Sequence, residues 1–88
     1  MKTAVLDDNT TLTIDRVLDT SGLECPLPIL KAKAEVSRMQ AGETLQVIAT
    51  DRHAPIDFRV FCARGGHEFL HLEEFSEHLE MLIRKAEN

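Results

Sequence analysis

The sequence lacks the features that mark membrane-spanning, secreted and disulfide-stabilised proteins. It contains no tryptophan or tyrosine, two cysteines and three prolines. No apolar run approaches the ~20 residues that cross a bilayer, and the stretch after Met1 lacks the regions of a signal peptide. Two cysteines with neither a C-x-x-C pair nor a disulfide framework predict a reducing environment, which we take to be the cytoplasm.

The charge balance argues against direct binding to nucleic acid. Ten Lys and Arg residues face 15 Asp and Glu residues, giving a net charge of −5, whereas phosphate neutralisation needs clustered cations. The 88 residues predict one domain, which buries about 60–65% of its unfolded surface and leaves little room for a deep active site. We therefore expect a protein without membrane contact, monomeric when free, that acts at its surface.

The most informative segment surrounds Cys25, which is followed by prolines at i+1 and i+3. Proline is tolerated in the first helical turn, so a helix is predicted to begin at Pro26 with Cys25 at its N-cap or first position. Free amide groups and the helix dipole favour a thiolate there, and cysteine pKa values fall from about 8.5 to roughly 3.5–7.5 at such places. Glu24 opposes this effect, so we expect a moderately lowered pKa. The alternative is that Cys25 is a packing residue that extends the apolar stripe of Ile29.

From residue 15 onward, the pattern indicates alternating strands and helices. Strands are predicted over 15–19, 44–50 and 67–72, and helices over 26–40 and from Pro55 to Gly65-Gly66. Gly42 is predicted to end the first helix in a left-handed cap. The last segment is ambiguous, because it also fits a helical stripe formed by Leu72, Phe75, Leu79, Leu82 and Ile83. Residues 1–14, with the turn-prone Asp7-Asp8-Asn9, are expected to form a short hairpin or a mobile arm before a single domain over 15–88.

A family resemblance accompanies these patterns. The segment Leu18-Asp19-x-x-Gly22-Leu23-x-Cys25-Pro26-x-Pro28 resembles the signature of the TusA/SirA family of small sulfur-carrier proteins. Further resemblances follow in chain order and bring the matched part to about residues 16–85: Met39-x-x-Gly42-Glu43-x-Leu45, Asp51, Asp57, Cys62 and Gly66-His67-Glu68. The stretch Asp51-Arg52-His53-Ala54-Pro55 departs from the family's usual Asp-Pro start, because its proline is displaced.

The resemblance implies a fold and a function. The implied fold is α/β (α+β), a two-layer βαβαββ sandwich with two helices on one face of a mixed four-stranded sheet, in which residues 79–85 form the fourth strand. The implied function is a sulfurtransferase that accepts sulfur as a persulfide on Cys25 from a cysteine desulfurase or rhodanese-like donor. An acceptor protein then receives the sulfur for tRNA 2-thiouridine synthesis, molybdenum-cofactor supply or sulfur oxidation. No cofactor is expected beyond the covalent persulfide. The alternative is a non-catalytic protein-interaction or redox-sensing module.

Several other residues have two readings. Lys31 and Lys33 belong either to a solvated helix face or to a basic patch that docks acidic partners and supports the thiolate. Cys62 is either a core residue or a resolving or second carrier thiol. Asp51 and Asp57 are expected to support the start of the second helix, with a catalytic acid as the alternative.

The four histidines invite a metal hypothesis. His67 and His71 are four residues apart, and a zinc site that includes Cys62 is conceivable. No pair shows the ligand spacing of a zinc motif, so the sequence predicts no metal site.

Overall fold

A computed structural model of the chain describes residues 2–5 and 11–86. Its elements in chain order are β1 (Lys2–Val5), β2 (Thr11–Ile14), β3 (Arg16–Thr20), α1 (Leu27–Ser37), β4 (Thr44–Ala49), α2 (Ala54–Gly65), β5 (Glu68–Glu74) and β6 (Leu79–Arg84). Four strands form a sheet in the order β3-β4-β6-β5, with β3 parallel to β4 and the other two pairings antiparallel. With α1 and α2 packed against it, this sheet confirms the predicted mixed βαβαββ architecture.

The core lies between the two helices and the central strands. Apolar side chains alternate along β4 and β6, as expected for strands covered by helices. Helix α2 contributes Phe58 to this layer, and Phe58 is 0% exposed. The other members of the cluster are also buried: Ala32, Val36, Met39, Leu45, Val47, Ala49, Ala54, Cys62, Leu79, Met81 and Ile83.

The last segment is a strand, and the alternative helical stripe is wrong. β6 pairs with β4 on one side and with β5 on the other, so it lies inside the sheet. Leu79, Met81 and Ile83 on one face are buried in the core, and on the other face Leu82 is buried between the partly exposed Glu80 and Arg84. Phe75, a member of the supposed stripe, lies in the turn before β6.

The glycine predicted to cap the first helix lies outside that helix. α1 ends at Ser37, because Arg38 and Met39 donate to the carbonyls three residues before them and tighten the last turn. Gly42 lies beyond the helix, in the turn before β4, with a φ of 86°. Gly66 ends α2, where the second helix was predicted to end, in a left-handed cap with a φ of 75°. The prediction that Gly42 caps the first helix is therefore wrong.

The first two strands form a separate antiparallel pair, in which Lys2 lies opposite Ile14 and Val5 opposite Thr11. Asp15 connects this pair to the main sheet: its N–H donates to the Thr44 carbonyl at 3.0 Å, and its carboxylate accepts from the Thr44 N–H at 2.9 Å. Asp7-Asp8-Asn9 lies outside the described residues. The division into an extension over 1–14 and a domain over 15–88 stays a prediction.

The two edges of the sheet differ in character. β5 is an outer strand that carries three exposed glutamates, Glu68, Glu73 and Glu74. At the other edge, β3 runs parallel to β4, so the loops that follow these two strands leave the sheet at the same end.

In the part of the chain that the structure describes, neither helix is long and apolar enough to span a bilayer.

Candidate functional site

The carboxyl ends of β3 and β4 position the site. Thr20 and Ala49 are opposite each other where the two strands end, and the Thr20 hydroxyl donates to the Ile48 carbonyl at 2.7 Å. In the following loops, the Gly22 N–H donates to the Thr50 hydroxyl at 2.8 Å. Gly22 adopts a φ of 83°, which favours glycine. The two loops thereby border an open cleft of about 520 Å³ lined by residues 22–25 and 50–52.

Cys25 lies in the first of these loops and is exposed. α1 begins at Leu27 with Pro26 at the N-cap, so Cys25 precedes the cap by one residue. The expectation that Cys25 occupies the N-cap or the first helical position is therefore wrong by one or two residues. The Cys25–Pro26 peptide bond is cis. Pro28 is in the first turn and is buried, which fixes the start of the helix against the sheet.

Two aspartates from the second half of the chain hold Cys25. The Cys25 N–H donates to Asp51 Oδ2 at 2.7 Å, and the Cys25 thiol donates to Asp57 Oδ2 at 3.3 Å. Asp51 also accepts from the His53 N–H at 3.0 Å, which orders the approach to α2. Asp57 lies in the first turn of α2. The structure thus places both aspartates near the start of α2, as expected. It also shows that each of them contacts Cys25 directly, which the sequence did not indicate.

The thiol of Cys25 is less acidic than expected. Its hydrogen bond to Asp57 raises its pKa above the ordinary value, and partial desolvation and the negative charges of Asp57 and Asp51 act in the same direction. The prediction of a lowered pKa is wrong, because the fold places two carboxylates beside the thiol. At neutral pH the resting side chain is therefore a thiol.

The pKa of Asp51 shifts in the opposite direction, to a lower value. The N–H of His53, and after it the N–H of Cys25, stabilise the carboxylate and hold the pKa of Asp51 below its ordinary value. A carboxyl group whose pKa is lower in the folded state stabilises the fold at pH values above its unfolded-state pKa of about 3.9. This stabilisation is lost as the pH falls through the folded-state pKa.

We therefore expect Asp51 to contribute to acid sensitivity. Between about pH 5 and pH 2 the free energy of unfolding should fall more steeply for the wild type than for Asp51→Asn, which keeps an acceptor oxygen but does not ionise. Urea titrations followed by circular dichroism at several pH values measure this difference. Equal slopes for the two proteins would show that Asp51 does not couple protonation to folding.

Lys33 lies beside a second open groove, of about 310 Å³, between the two helices. Arg64 and Asp57 line the same groove, so Asp57 borders both the groove and the thiol. Lys31 is exposed on α1. Within residues 11–86, neither lysine makes a hydrogen bond or ion pair to Cys25 or Asp57. The structure therefore gives the lysines no contact with the thiol, and their docking role stays a prediction.

Exposed apolar side chains surround the start of the two helices, a feature the sequence reasoning missed. Leu27 and Leu30 project from α1, and Ile56 and Val60 from α2; all four are exposed. Their spacings of three and four residues place each pair on one helix face. The sequence contained a signal for the two positions on α2. Phe58 and Cys62 are also four residues apart and lie on the buried face of α2, so Ile56 and Val60 belong to a different face.

Cys62 does not belong to the cleft. It is 2% exposed in the core, and burial raises its pKa to about 11. This location fits the core reading of Cys62, and both cysteines are free thiols. Of the residues singled out in the sequence, the fold therefore brings together Cys25, Asp51 and Asp57.

Comparisons with known proteins agree with this geometry. A family model described as sulfurtransferase TusA matches residues 16–85. The sulfur carrier protein TusA of Allochromatium vinosum is 43% identical over 72 residues, which cover 82% of this chain and 95% of the relative. The protein of the same name from Pseudomonas putida strain W619 is 39% identical over 79 residues, covering 89% and 99%.

A solved structure has the same fold. The crystal structure of a SirA-like protein from Desulfitobacterium hafniense aligns with a TM-score of 0.71 at 22% identity, covering 82% of this chain and 99% of that one. The match of the family model over residues 16–85, together with these relatives, confirms the resemblance seen in the sequence. The chain belongs to the TusA family of sulfur-carrier proteins.

Proposed function

We propose that this protein carries sulfur as a persulfide on Cys25, taking it from one protein and delivering it to another. The observation that carries the proposal is the contrast between the two thiols: Cys25 is exposed at an open cleft, whereas Cys62 is buried. A thiol that serves two protein partners in turn must be reachable by both. The exposed Leu27 and Leu30 and the cations Lys31 and Lys33 lie on the helix that follows the thiol, and they offer a docking surface.

The chemistry requires a nucleophilic sulfur and no redox change. Cys25 attacks the terminal sulfur of the donor's persulfide, a new S–S bond forms, and the donor's S–S bond breaks with its electron pair left on the donor thiolate. In the second step an acceptor thiolate attacks the terminal sulfur of the Cys25 persulfide, and Cys25 leaves as a thiolate. Neither step requires a metal or a cofactor, because the sulfur travels covalently.

The partners we propose are defined by the same chemistry. The donor is a protein that forms a persulfide, a cysteine desulfurase or a rhodanese-like protein. The acceptor is a protein that leads to 2-thiouridine in tRNA, to molybdenum-cofactor supply or to sulfur oxidation. The net charge of −5 supports transfer through a protein acceptor and not through direct contact with nucleic acid. An exposed free thiol also suits a monomer in the reducing cytoplasm.

The test is to load the protein and locate the sulfur. After incubation with a cysteine desulfurase and cysteine, we expect the peptide that contains Cys25 to gain the mass of one sulfur atom, and a reductant such as dithiothreitol to remove it. The peptide that contains Cys62 should keep its mass and serves as the internal control. If no peptide gains sulfur, the proposed function is wrong.

The redox-sensing alternative receives less support. Sensor cysteines are accessible but have low pKa values, because the thiolate is the form that oxidants attack. Cys25 is accessible, yet its contact with Asp57 raises its pKa. The resting thiol therefore suits transfer from a docked partner better than reaction with dissolved oxidants.

A further inference from the structure

The carboxylate of Asp57 lies against the atom that reacts. Its Oδ2 is 3.3 Å from the Sγ of Cys25, within hydrogen-bond distance for sulfur. Asp51 is also close to Cys25, but its two oxygens accept from the backbone N–H groups of Cys25 and His53. In the described part of the chain, Asp57 is thus the acid whose carboxylate faces the thiol hydrogen itself.

We propose that Asp57 is the proton acceptor for Cys25 when sulfur is loaded, an inference that rests on the proposed function. As Sγ attacks the terminal sulfur of the donor persulfide, the S–H bond breaks, its electron pair enters the new S–S bond, and its proton moves to Asp57 Oδ2. The donor's S–S bond breaks and leaves a thiolate. Asp57 then releases its proton to solvent, and the donor thiolate takes up a proton from solvent. The net result is that one thiol and one persulfide have exchanged a sulfur atom without oxidation or reduction.

The position of Asp57 on α2 suits this role. Its neighbour Phe58 is fully buried, so the first turn of the helix is anchored in the core and the carboxylate is held in place. A general base must lie within hydrogen-bond reach of the proton that it removes. The same contact keeps Cys25 protonated at rest, since it raises the pKa of the thiol. A carrier benefits from both effects, because stray electrophiles meet a thiol and a docked donor meets a thiol with an adjacent base.

Charged groups from each neighbouring element surround this pair. Arg52 lines the cleft, but its guanidinium donates to the carbonyls of Phe75 and Ser76. Lys33 and Arg64 border the groove beside Asp57, and within residues 11–86 neither forms an ion pair with it. The remaining charged or titratable groups of the two loops are Glu24, Asp51 and His53. The carboxylate of Asp57 is therefore available to receive a proton.

The test replaces the carboxylate by an amide and follows two rates that should move in opposite directions. For Asp57→Asn we expect the pH profile of Cys25 alkylation by iodoacetamide to shift to lower pH, so that alkylation at neutral pH becomes several-fold faster. Loading from a cysteine desulfurase should become about ten- to a hundredfold slower, because the base is lost. Asp57→Ala should show the same two changes, and circular dichroism should show that both variants are folded.

The outcomes separate the two proposals. Glu68→Gln, on the outer strand at the opposite end of the sheet from the cleft, removes the same charge and should leave both rates unchanged. If Asp57→Asn loads as fast as the wild type, or faster in parallel with its alkylation, Asp57 suppresses the thiolate without accepting the proton and the inference fails. If the wild type does not load at all, the proposed function fails, and this inference fails with it.

Discussion

Cys25→Ser is expected to lose sulfur loading completely while it keeps its fold. A serine hydroxyl does not ionise near neutral pH, and its oxygen does not form the S–S bond that holds the transferred atom. Cys25 is exposed, and a surface substitution of this kind changes the free energy of unfolding by about 0.5 kcal/mol or less. The backbone N–H that donates to Asp51 is unchanged, so the loop should keep its place. Mass spectrometry after incubation with a desulfurase measures the loss.

The matched control for this variant is Cys62→Ala. Cys62 is buried, so its removal should leave loading intact even though it loosens the core. Alkylation by iodoacetamide under native conditions should likewise modify one thiol in the wild type and in Cys62→Ala, and none in Cys25→Ser. Both thiols of the wild type should react once it is unfolded. Continued loading of Cys25→Ser would place the carried sulfur on Cys62 and contradict the proposed function.

Phe58→Ala is expected to have the largest effect on stability. Phe58 is 0% exposed, and it is the largest fully buried side chain of the core. Truncation of a buried phenylalanine costs about 3–5 kcal/mol, and a chain of this size has roughly 0.05–0.15 kcal/mol of stability per residue. The variant should therefore lose a large part of its stability and unfold at a much lower urea concentration than the wild type. Urea titration followed by circular dichroism measures the change in the free energy of unfolding.

Ile56→Ala is the control on the same helix. Ile56 is 63% exposed, so its truncation should change the free energy of unfolding by about 0.5 kcal/mol or less. Because Phe58 anchors the turn that holds Asp57, the Phe58→Ala protein that remains folded should also show a shifted pH profile of Cys25 alkylation. A loss of less than about 1 kcal/mol for Phe58→Ala would contradict the position of α2 against the sheet.

Most element boundaries could be predicted because local signals mark them. Pro26 and Pro55 are at the starts of the two helices, and Gly66 ends the second. β6 could not be assigned from its pattern, because Leu79, Leu82 and Ile83 also have the spacing of one face of a helix. For this strand only the family resemblance selected the correct alternative.

The location of the site could be predicted from the sequence, but the pKa of its thiol could not. The prolines after Cys25 place the thiol in the loop before the first helix, and this is a local property of the chain. Its pKa depends on Asp57, which is 32 residues away and meets the thiol only in the folded protein. The parallel pairing of β3 with β4 predicts that Asp51 and Cys25 share an edge of the sheet, but it does not reveal which carboxylate reaches the sulfur.

The glutamates on β5 have a consequence for how this protein behaves in a crowded cell. An outermost strand has unpaired backbone groups, and a neighbouring copy could add to them and begin a growing stack of chains. Glu68, Glu73 and Glu74 would bring like charges together in any such stack, which opposes its formation. Negative charge along this strand thus guards against aggregation at the edge opposite β3, the strand that leads into the thiol loop, so the edge that carries the thiol stays free for partners.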